Sequence, residues 1–171
     1  MFEAFSGVGM QAMAFKRLGI NYDHIGISEI DKDAIISYAA IHCNLEDVYN
    51  STENFPKKED IIEYLQSKNV GYDYVKEQHT VTTRTPYKRL KLLYLADRLS
   101  KNKGDISKIT PKDINEQLDV FTYSFPCQSL SYTGTGGGLE SGKSSVVWEV
   151  LRLLKELSKD NMLPKSNALL Y

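Results

Sequence analysis

The spacing of apolar and polar positions divides the chain into three unlike stretches. The first opens on an apolar run, Met1 to Phe5, that reads as a short buried strand. A glycine-bearing turn comes next, Ser6-Gly7-Val8-Gly9-Met10-Gln11-Ala12. It leads into a helical pattern with Met13, Ala14 and Leu18 on its apolar side and Gly19 as the C-cap. His24 to Ser28 reads as a second strand, and Asp31 to His42 as a second helix with Asp31 as N-cap. Strand, helix, strand, helix predicts a parallel sheet.

The second stretch, Asn44 to Lys103, is polar. Its spacing predicts two helices, Lys58 to Ser67 and Tyr87 to Ser100, the latter carrying Leu90, Leu93, Leu95 and Leu99 among basic residues. It reads as a helical insertion, residues 44–103, packed beside the sheet. In the third stretch Gly104-Asp105-Ile106 reads as the end of a very short strand, and Pro111 to Gln117 as one or two helical turns. Leu118 to Phe125 is an apolar, β-prone run that stops at Pro126. A loop from Ser131 to Gly142 carries Gly134, Gly136, Gly137 and Gly138. Ser144 to Ser158 is strongly amphipathic, with Val147, Val150, Leu151, Leu154 and Leu157 on one face, and Ala168 to Tyr171 begins another strand. The expected architecture is α/β, one domain over residues 1–171 with a mostly parallel, three-layer, Rossmann-like sheet.

Composition adds limits rather than a function. The 171 residues are 42% hydrophobic and 25% charged, enough apolar material for a core. The net charge of −1 gives no global attraction for nucleic acid, so any such case rests on a local basic region. That region is Arg84 to Lys103, with Lys88, Arg89, Lys91, Arg98 and Lys101 against Asp97 alone. It reads either as a solvated helix face or as a phosphate-contacting surface with Tyr87 and Tyr94 as neighbours. Two cysteines, no apolar run long enough to cross a bilayer and no leader-like segment point to a reducing cytoplasm and a free thiol. His24, His42 and His79 show no ligand spacing with each other or with the cysteines, so no metal site is expected.

Three motifs carry chemistry. Gly7, Gly9 and Ala12 after the first strand, with Glu29 at the end of the second, fit a nucleoside-cofactor turn. The glycines let backbone approach a ligand, and the acid accepts hydrogen bonds from ribose hydroxyls. The pattern alone does not separate a nicotinamide cofactor from S-adenosylmethionine, and a ligand-free tight turn is the plain alternative. Gly137 to Ser144 satisfies the phosphate-loop pattern letter for letter, but a phosphate loop follows its strand directly, and here the loop begins well after Phe125. Cys127 comes directly after Pro126 at a strand end and opens into the polar loop, the kind of setting a nucleophilic thiolate needs. Cys43, on the helix after Ala39, Ala40, Ile41 and His42, reads as structural.

These pieces, in this order, resemble the DNA (cytosine-5) methyltransferases over nearly the whole chain outside the insertion. Phe5-Ser6-Gly7-Val8-Gly9 looks like the first cofactor motif, Gly26-Ile27-Ser28-Glu29-Ile30-Asp31 the second and Gly104-Asp105-Ile106 the third. Phe125-Pro126-Cys127-Gln128-Ser129-Leu130-Ser131 is similar to the catalytic motif. Ser144-Ser145-Val146-Val147-Trp148-Glu149 resembles the family's segment carboxyl-terminal to that motif. The insertion's end, Leu99 to Ile106, resembles that of a bacterial subgroup.

The resemblance implies an S-adenosylmethionine-dependent methyltransferase core acting on double-stranded DNA, in a bacterial or phage-type cytoplasmic enzyme of a restriction-modification system. Phe5 and Ser6 would lie against the cofactor, Gly7 and Gly9 would admit its methionine part, Glu29 would bind the ribose and Ile30 would cover the adenine. Asp105 and Ile106 would flank the adenine edge, with Pro126 near the adenine or sulfonium and Val146 adding a backbone contact. Cys127 would attack carbon 6 of a flipped cytosine, making carbon 5 nucleophilic enough to take the methyl group. The loop carrying Gln128, Ser129 and Ser131 would close over the base.

In the family the last strand continues into a Glu-Asn-Val motif, and beyond it lie an arginine-bearing motif, a target-recognition region and a final cofactor motif. The sequence stops before these. The expectation is therefore an amino-terminal piece (a shortened form, a decayed gene product or half of a two-chain enzyme) that methylates DNA poorly or not at all alone. A second polypeptide supplying the missing motifs would be its partner. The rival readings are a non-catalytic module binding the cofactor or a partner chain, and a nicotinamide oxidoreductase or phosphate-loop nucleotidase.

Overall fold

The computed structural model describes residues 1–114, 116–124, 146–162 and 166–169. The first strand, β1 (Phe2–Ala4), leads through the glycine turn into α1 (Met10–Arg17). β2 (Gly26–Ser28) and α2 (Lys32–His42) come next. The polar stretch holds α3 (Leu45–Ser51), α4 (Lys58–Ser67), a hairpin of β3 (Tyr72–Asp73) and β4 (Gln78–His79), and α5 (Tyr87–Leu99). Then come α6 (Pro111–Ile114), β5 (Val120–Tyr123), α7 (Val147–Lys159) and β6 (Ser166–Leu169).

The main sheet runs β2-β1-β5-β6 and every pairing is parallel. The chain steps outward from β1 to β2, then returns to place β5 on β1's other side. That reversal is a topological switch point between β1 and β5, and it is at the carboxyl ends of strands at such points that open α/β sheets bind ligands. Successive strand residues face opposite sides. Phe2, Ala4 and Phe121 face α7, where Val150, Leu153 and Leu157 close the core, and the Phe2 and Phe121 rings stack with centroids 5.5 Å apart. Glu3 and its register partner Thr122, both buried, belong to the opposite face, where Glu3 bonds to α1 and to Tyr38 of α2. The result is the three-layer, Rossmann-like arrangement expected from the pattern.

A second core lies beyond α2. Ile35 and Ala39 of α2 pack with Ile61 and Leu65 of α4 and with Leu90 and Leu93 of α5. Cys43 is half-buried against this cluster, and burial pushes its thiol up, as suits a packing residue. No helix among the described residues is long and apolar enough to cross a membrane.

Capping chemistry explains several boundaries. Asp31 accepts from the N–H groups of Asp33 and Ala34 at 2.9 and 2.8 Å, and α2 starts there. Gly19, at φ +67°, ends α1: its N–H reaches the Lys16 carbonyl and that of Ile20 the Phe15 carbonyl, the paired bonds of a Schellman turn.

Three expectations need correction. Gly104-Asp105-Ile106 is not a strand end. Pairing beyond β2 is a single parallel bridge between Ile27 and Asn102, and Asp105 then caps a 3-10 turn, Ile106–Lys108, by accepting from the Ser107 N–H. On α7 Leu153 is buried and Leu151 exposed, which turns the packed face from the predicted one. On α1 only Ala12 is fully buried, while Leu18 is 71% exposed. The small side chain lets α1 lie close to the sheet, where Glu3 takes its Ala12 N–H.

The stacked pair at the sheet centre sets the first test. Phe121→Ala removes a fully buried ring from between β1 and α7 and should cost about 3–5 kcal/mol, read as a lower urea midpoint at unchanged slope.

Candidate functional site

The turn after β1 is built from backbone conformations that side chains resist. Phe5, Gly7 and Gly9 all have positive φ, at 53°, 53° and 81°. A Cβ on Gly9 would lie 2.5 Å from the His42 ring and 2.6 Å from Tyr38, so this glycine lets the turn press against α2. A Cβ on Gly7 would meet nothing within 4 Å. Gly7 therefore borders open space, as backbone that approaches a ligand must. Nearby, the Ser6 hydroxyl and the Gln11 side-chain oxygen are buried without a hydrogen-bond partner among the described residues.

The acid at the end of β2 closes on this turn. One Glu29 oxygen accepts from the N–H groups of Ile30 and Asp31, both at 2.8 Å, and the other accepts from Gly7 at 2.9 Å. Three of a carboxylate's four acceptor positions are thus filled, leaving one on the oxygen that faces Gly7. Burial pushes the Glu29 carboxyl above its ordinary value in spite of these donors.

Glu29 is itself held by Asn102. The Asn102 side-chain oxygen accepts from the Glu29 N–H and its amide donates to the Glu29 carbonyl, both at 3.0 Å. The same side chain accepts from the Gly104 N–H at 3.0 Å and donates to Asp97 at 2.8 Å. Asp97, fully buried on α5, takes the Lys68 ammonium at 2.6 Å and the Tyr64 hydroxyl at 2.8 Å. A continuous polar chain therefore links the glycine turn to α4 and α5.

Asp105 forms the next corner. One oxygen accepts from the Ser107 N–H at 3.0 Å; the other accepts from the Asn69 amide at 2.7 Å and from the Tyr74 hydroxyl. Burial works to raise this carboxyl, but the Tyr74, Asn69 and Ser107 donors outweigh it and hold it below its ordinary value. The Tyr74 phenol is pushed up to about 12 by its partial burial and by Asp105.

The structure thus brings Phe5, Ser6, Gly7, Gly9, Glu29, Ile30 and Asp105 to one end of the sheet. Ile106 is placed differently: its side chain is buried in the core under α7 and its carbonyl already accepts from Arg152 and from the Ile109 N–H, which leaves its own N–H for any ligand. Val146 stands at the N-cap of α7. Pro126, Cys127, Gln128, Ser129 and Ser131, and the phosphate-loop-like Gly137 to Ser144, lie outside the described residues. No three metal-ligating side chains come together among the described residues.

The basic run is largely spoken for within the fold. Arg89 pairs with Asp33, Arg98 donates to the Tyr94 hydroxyl, and the Lys91 ammonium sits 5.1 Å from the Phe55 ring centroid and 5.2 Å from that of Tyr87. These contacts favour the structural reading of Arg84 to Lys103.

Two residues that the sequence did not single out matter most. One is Asn102. The other is Glu3, whose carboxylate accepts from the Tyr38 hydroxyl at 2.7 Å and from the Ala12 N–H at 3.3 Å, anchoring the start of α1 from below. An acid inside an apolar strand was the available signal, since a carboxylate is rarely buried unless paired.

The sequence profile of the C-5 cytosine-specific DNA methylases matches residues 58–165. The chain is 39% identical over 158 residues to the type II methyltransferase M2.ScrFI of Lactococcus lactis subsp. cremoris, covering 91% of this chain and 43% of that protein. It is 34% identical over 177 residues to the orphan methyltransferase M.SssI of Spiroplasma monobiae, covering 96% and 44%. It is 41% identical over 164 residues to the orphan methyltransferase M.SPBetaI of Bacillus phage SPbeta, covering 96% and 25%. The chain thus spans less than half the length of these relatives.

Glu3 gives this site a measurable signature. Burial raises its carboxyl above the ordinary value of 4.5, so folding favours the protonated form. Its contribution is greatest below that value and declines as pH climbs through the raised folded one. Stability of the native chain should therefore fall from about pH 4.5 toward neutrality by more than that of Glu3→Gln, compared by urea midpoints across that range.

Proposed function

The chain belongs to the C-5 cytosine-specific DNA methylase family, and we propose that it forms the cofactor-binding and nucleophile portion of a DNA (cytosine-5-)-methyltransferase. Residues 1–171 are taken as part of one catalytic domain, with 44–103 as an insertion in it. The observation that carries the cofactor reading is Glu29 closing on Gly7 at the carboxyl ends of two adjacent parallel strands. Two orphaned polar atoms at that turn and the open space beside Gly7 fit S-adenosylmethionine there.

When bound, S-adenosylmethionine supplies an activated methyl group. The remaining acceptor position of Glu29 receives a ribose hydroxyl, Phe5 and Ile30 flank the nucleoside, Asp105 and the Ile106 backbone edge the adenine, and Pro126 and Val146 complete the enclosure. The Gly7 and Gly9 backbone lies along the methionine part, beside Ser6. Cys127 is the nucleophile: as a thiolate it adds to carbon 6 of cytosine in double-stranded DNA. A soft sulfur nucleophile both adds and leaves, which the reversible step needs. Gln128, Ser129 and Ser131 line the loop beside the flipped base.

Target recognition is assigned to sequence of the kind the longer relatives carry outside the matched segment, either continuous with this chain or on a second polypeptide. The setting is a bacterial or phage cytoplasm and a restriction-modification system.

Isothermal titration separates this reading from its rivals. Heat of binding for S-adenosylmethionine, with none for a nicotinamide dinucleotide or a nucleoside triphosphate, is the expected pattern, and the reverse pattern ends the proposal. For the nucleophile, duplex DNA containing 5-fluorocytosine, given with S-adenosylmethionine, should trap a denaturation-resistant adduct, because once carbon 5 is methylated its fluorine cannot be eliminated as the proton would be. Cys127→Ala should abolish that adduct. An adduct that survives the substitution would remove Cys127 from its role.

A further inference from the structure

The β3–β4 hairpin comes from the insertion, yet it touches two of the residues assigned to the nucleoside, Ile30 and Asp105. At its root the Gly71 N–H donates to the Ile30 carbonyl at 2.7 Å, and the Thr80 N–H returns to the Gly71 carbonyl at 2.8 Å. At its tip Asp73 accepts from the N–H groups of Val75 and Lys76, fixing the turn, and the Tyr74 hydroxyl reaches Asp105. The Tyr74 ring packs edge-on against Tyr72, centroids 4.8 Å apart, and Tyr72 packs likewise against His79. The hairpin therefore bridges the end of β2 and the corner at Asp105.

The occupancy of Asp105 decides what Tyr74 does there. A purine 6-amino group is a donor and needs an acceptor at this edge. The Asp105 oxygen that meets Tyr74 already accepts from Asn69, and the other accepts from Ser107. Asn69 is further tied by its side-chain oxygen to Lys108 at 2.9 Å, and Ser107 donates through its fixed backbone N–H and bonds through its side chain as well, which fills the carboxylate. Tyr74 is 53% exposed on a short hairpin, so at the oxygen it shares with Asn69 its hydroxyl is the donor that can give way.

We infer that Tyr74 is a specificity-determining residue of the adenine subsite, contributed by the insertion, whose hydroxyl holds Asp105 until a purine 6-amino group takes its place. Asp105 thereby stays satisfied in both states, and the phenol ring remains beside the purine edge. The inference rests on the S-adenosylmethionine reading above and adds to it a residue from outside the family-like motifs.

The test titrates S-adenosylhomocysteine and its 6-desamino analogue, which carries an unsubstituted purine and differs only in lacking the 6-amino group, into the 171-residue chain and into Tyr74→Phe. Removing the hydroxyl frees the acceptor, so Tyr74→Phe should bind S-adenosylhomocysteine about fivefold more tightly, the worth of one hydrogen bond no longer broken on entry. Affinity for the desamino ligand, which has no donor at this edge, should not tighten, so the preference for the 6-amino ligand widens. Thermal melting of the variant near that of the native chain shows that the fold is retained. Tyr74→Ala, which removes the ring as well, should weaken both ligands. Native binding of S-adenosylhomocysteine with an unchanged preference in Tyr74→Phe overturns the role of Tyr74 and leaves the cofactor reading standing. Binding of neither ligand by the native chain overturns the cofactor reading itself, and this inference with it.

Discussion

A half-buried carboxylate ringed by backbone N–H groups is the constraint on which this site depends. Glu29 gathers Gly7, Ile30 and Asp31, residues from two different loops, around one charge. Desolvating a carboxylate is costly, and the donors offset that cost only while both loops keep their places. The turn after β1 and the turn after β2 are therefore not independent. Asn102 extends the constraint to a third segment by pairing with both backbone groups of Glu29, in the way a neighbouring strand would. Where regular pairing beyond β2 amounts to one bridge, a side-chain amide substitutes for the missing ladder.

The insertion gains a different meaning from this. Its core with α2 is apolar, but its approach to the ligand end of the sheet is polar and satisfied: Asp97 with Lys68 and Tyr64, Asp105 with Asn69 and Tyr74. A half-satisfied buried network would be worse than an apolar one. The basic residues of α5, which invite a reading as a phosphate surface, are drawn off to Asp33, to Tyr94 and to a set of aromatic rings.

Much of the fold was legible from local pattern. The helix at Lys58–Ser67 lies where its spacing places it, the Asp31 cap starts α2, and Gly19 ends α1. These features rest on a helical period or on one residue's capping chemistry. The short elements were not legible: β3 and β4 are two residues each and cannot show an alternation, and α3 lies in a polar stretch without a repeating apolar face. The strand expected at Gly104 to Ile106 failed because Asp105 bonds the Ser107 N–H and turns the backbone instead. In the site, the glycines and Glu29 announced themselves by spacing. Asn102 did not, because its importance lies in bonds to a residue 73 positions away. Glu3 sat in plain view as an acid in an apolar strand, but its two partners, Ala12 and Tyr38, come from two different helices.

The root of the hairpin has a thermodynamic consequence. Gly71 donates to the carbonyl of Ile30, and Tyr74 caps Asp105, so the hairpin is ordered by the same groups that edge the nucleoside. Local opening of the hairpin and occupancy of the pocket are then linked equilibria, and linkage is reciprocal. Amide protons along residues 71–80 become a reporter of the pocket: a nucleoside that takes Tyr74's place on Asp105 speeds their exchange with solvent, and a change that pins the hairpin to Asp105 weakens the nucleoside in return. The insertion, which bears none of the family-like cofactor motifs, is in this sense a dial on the affinity of the site it borders.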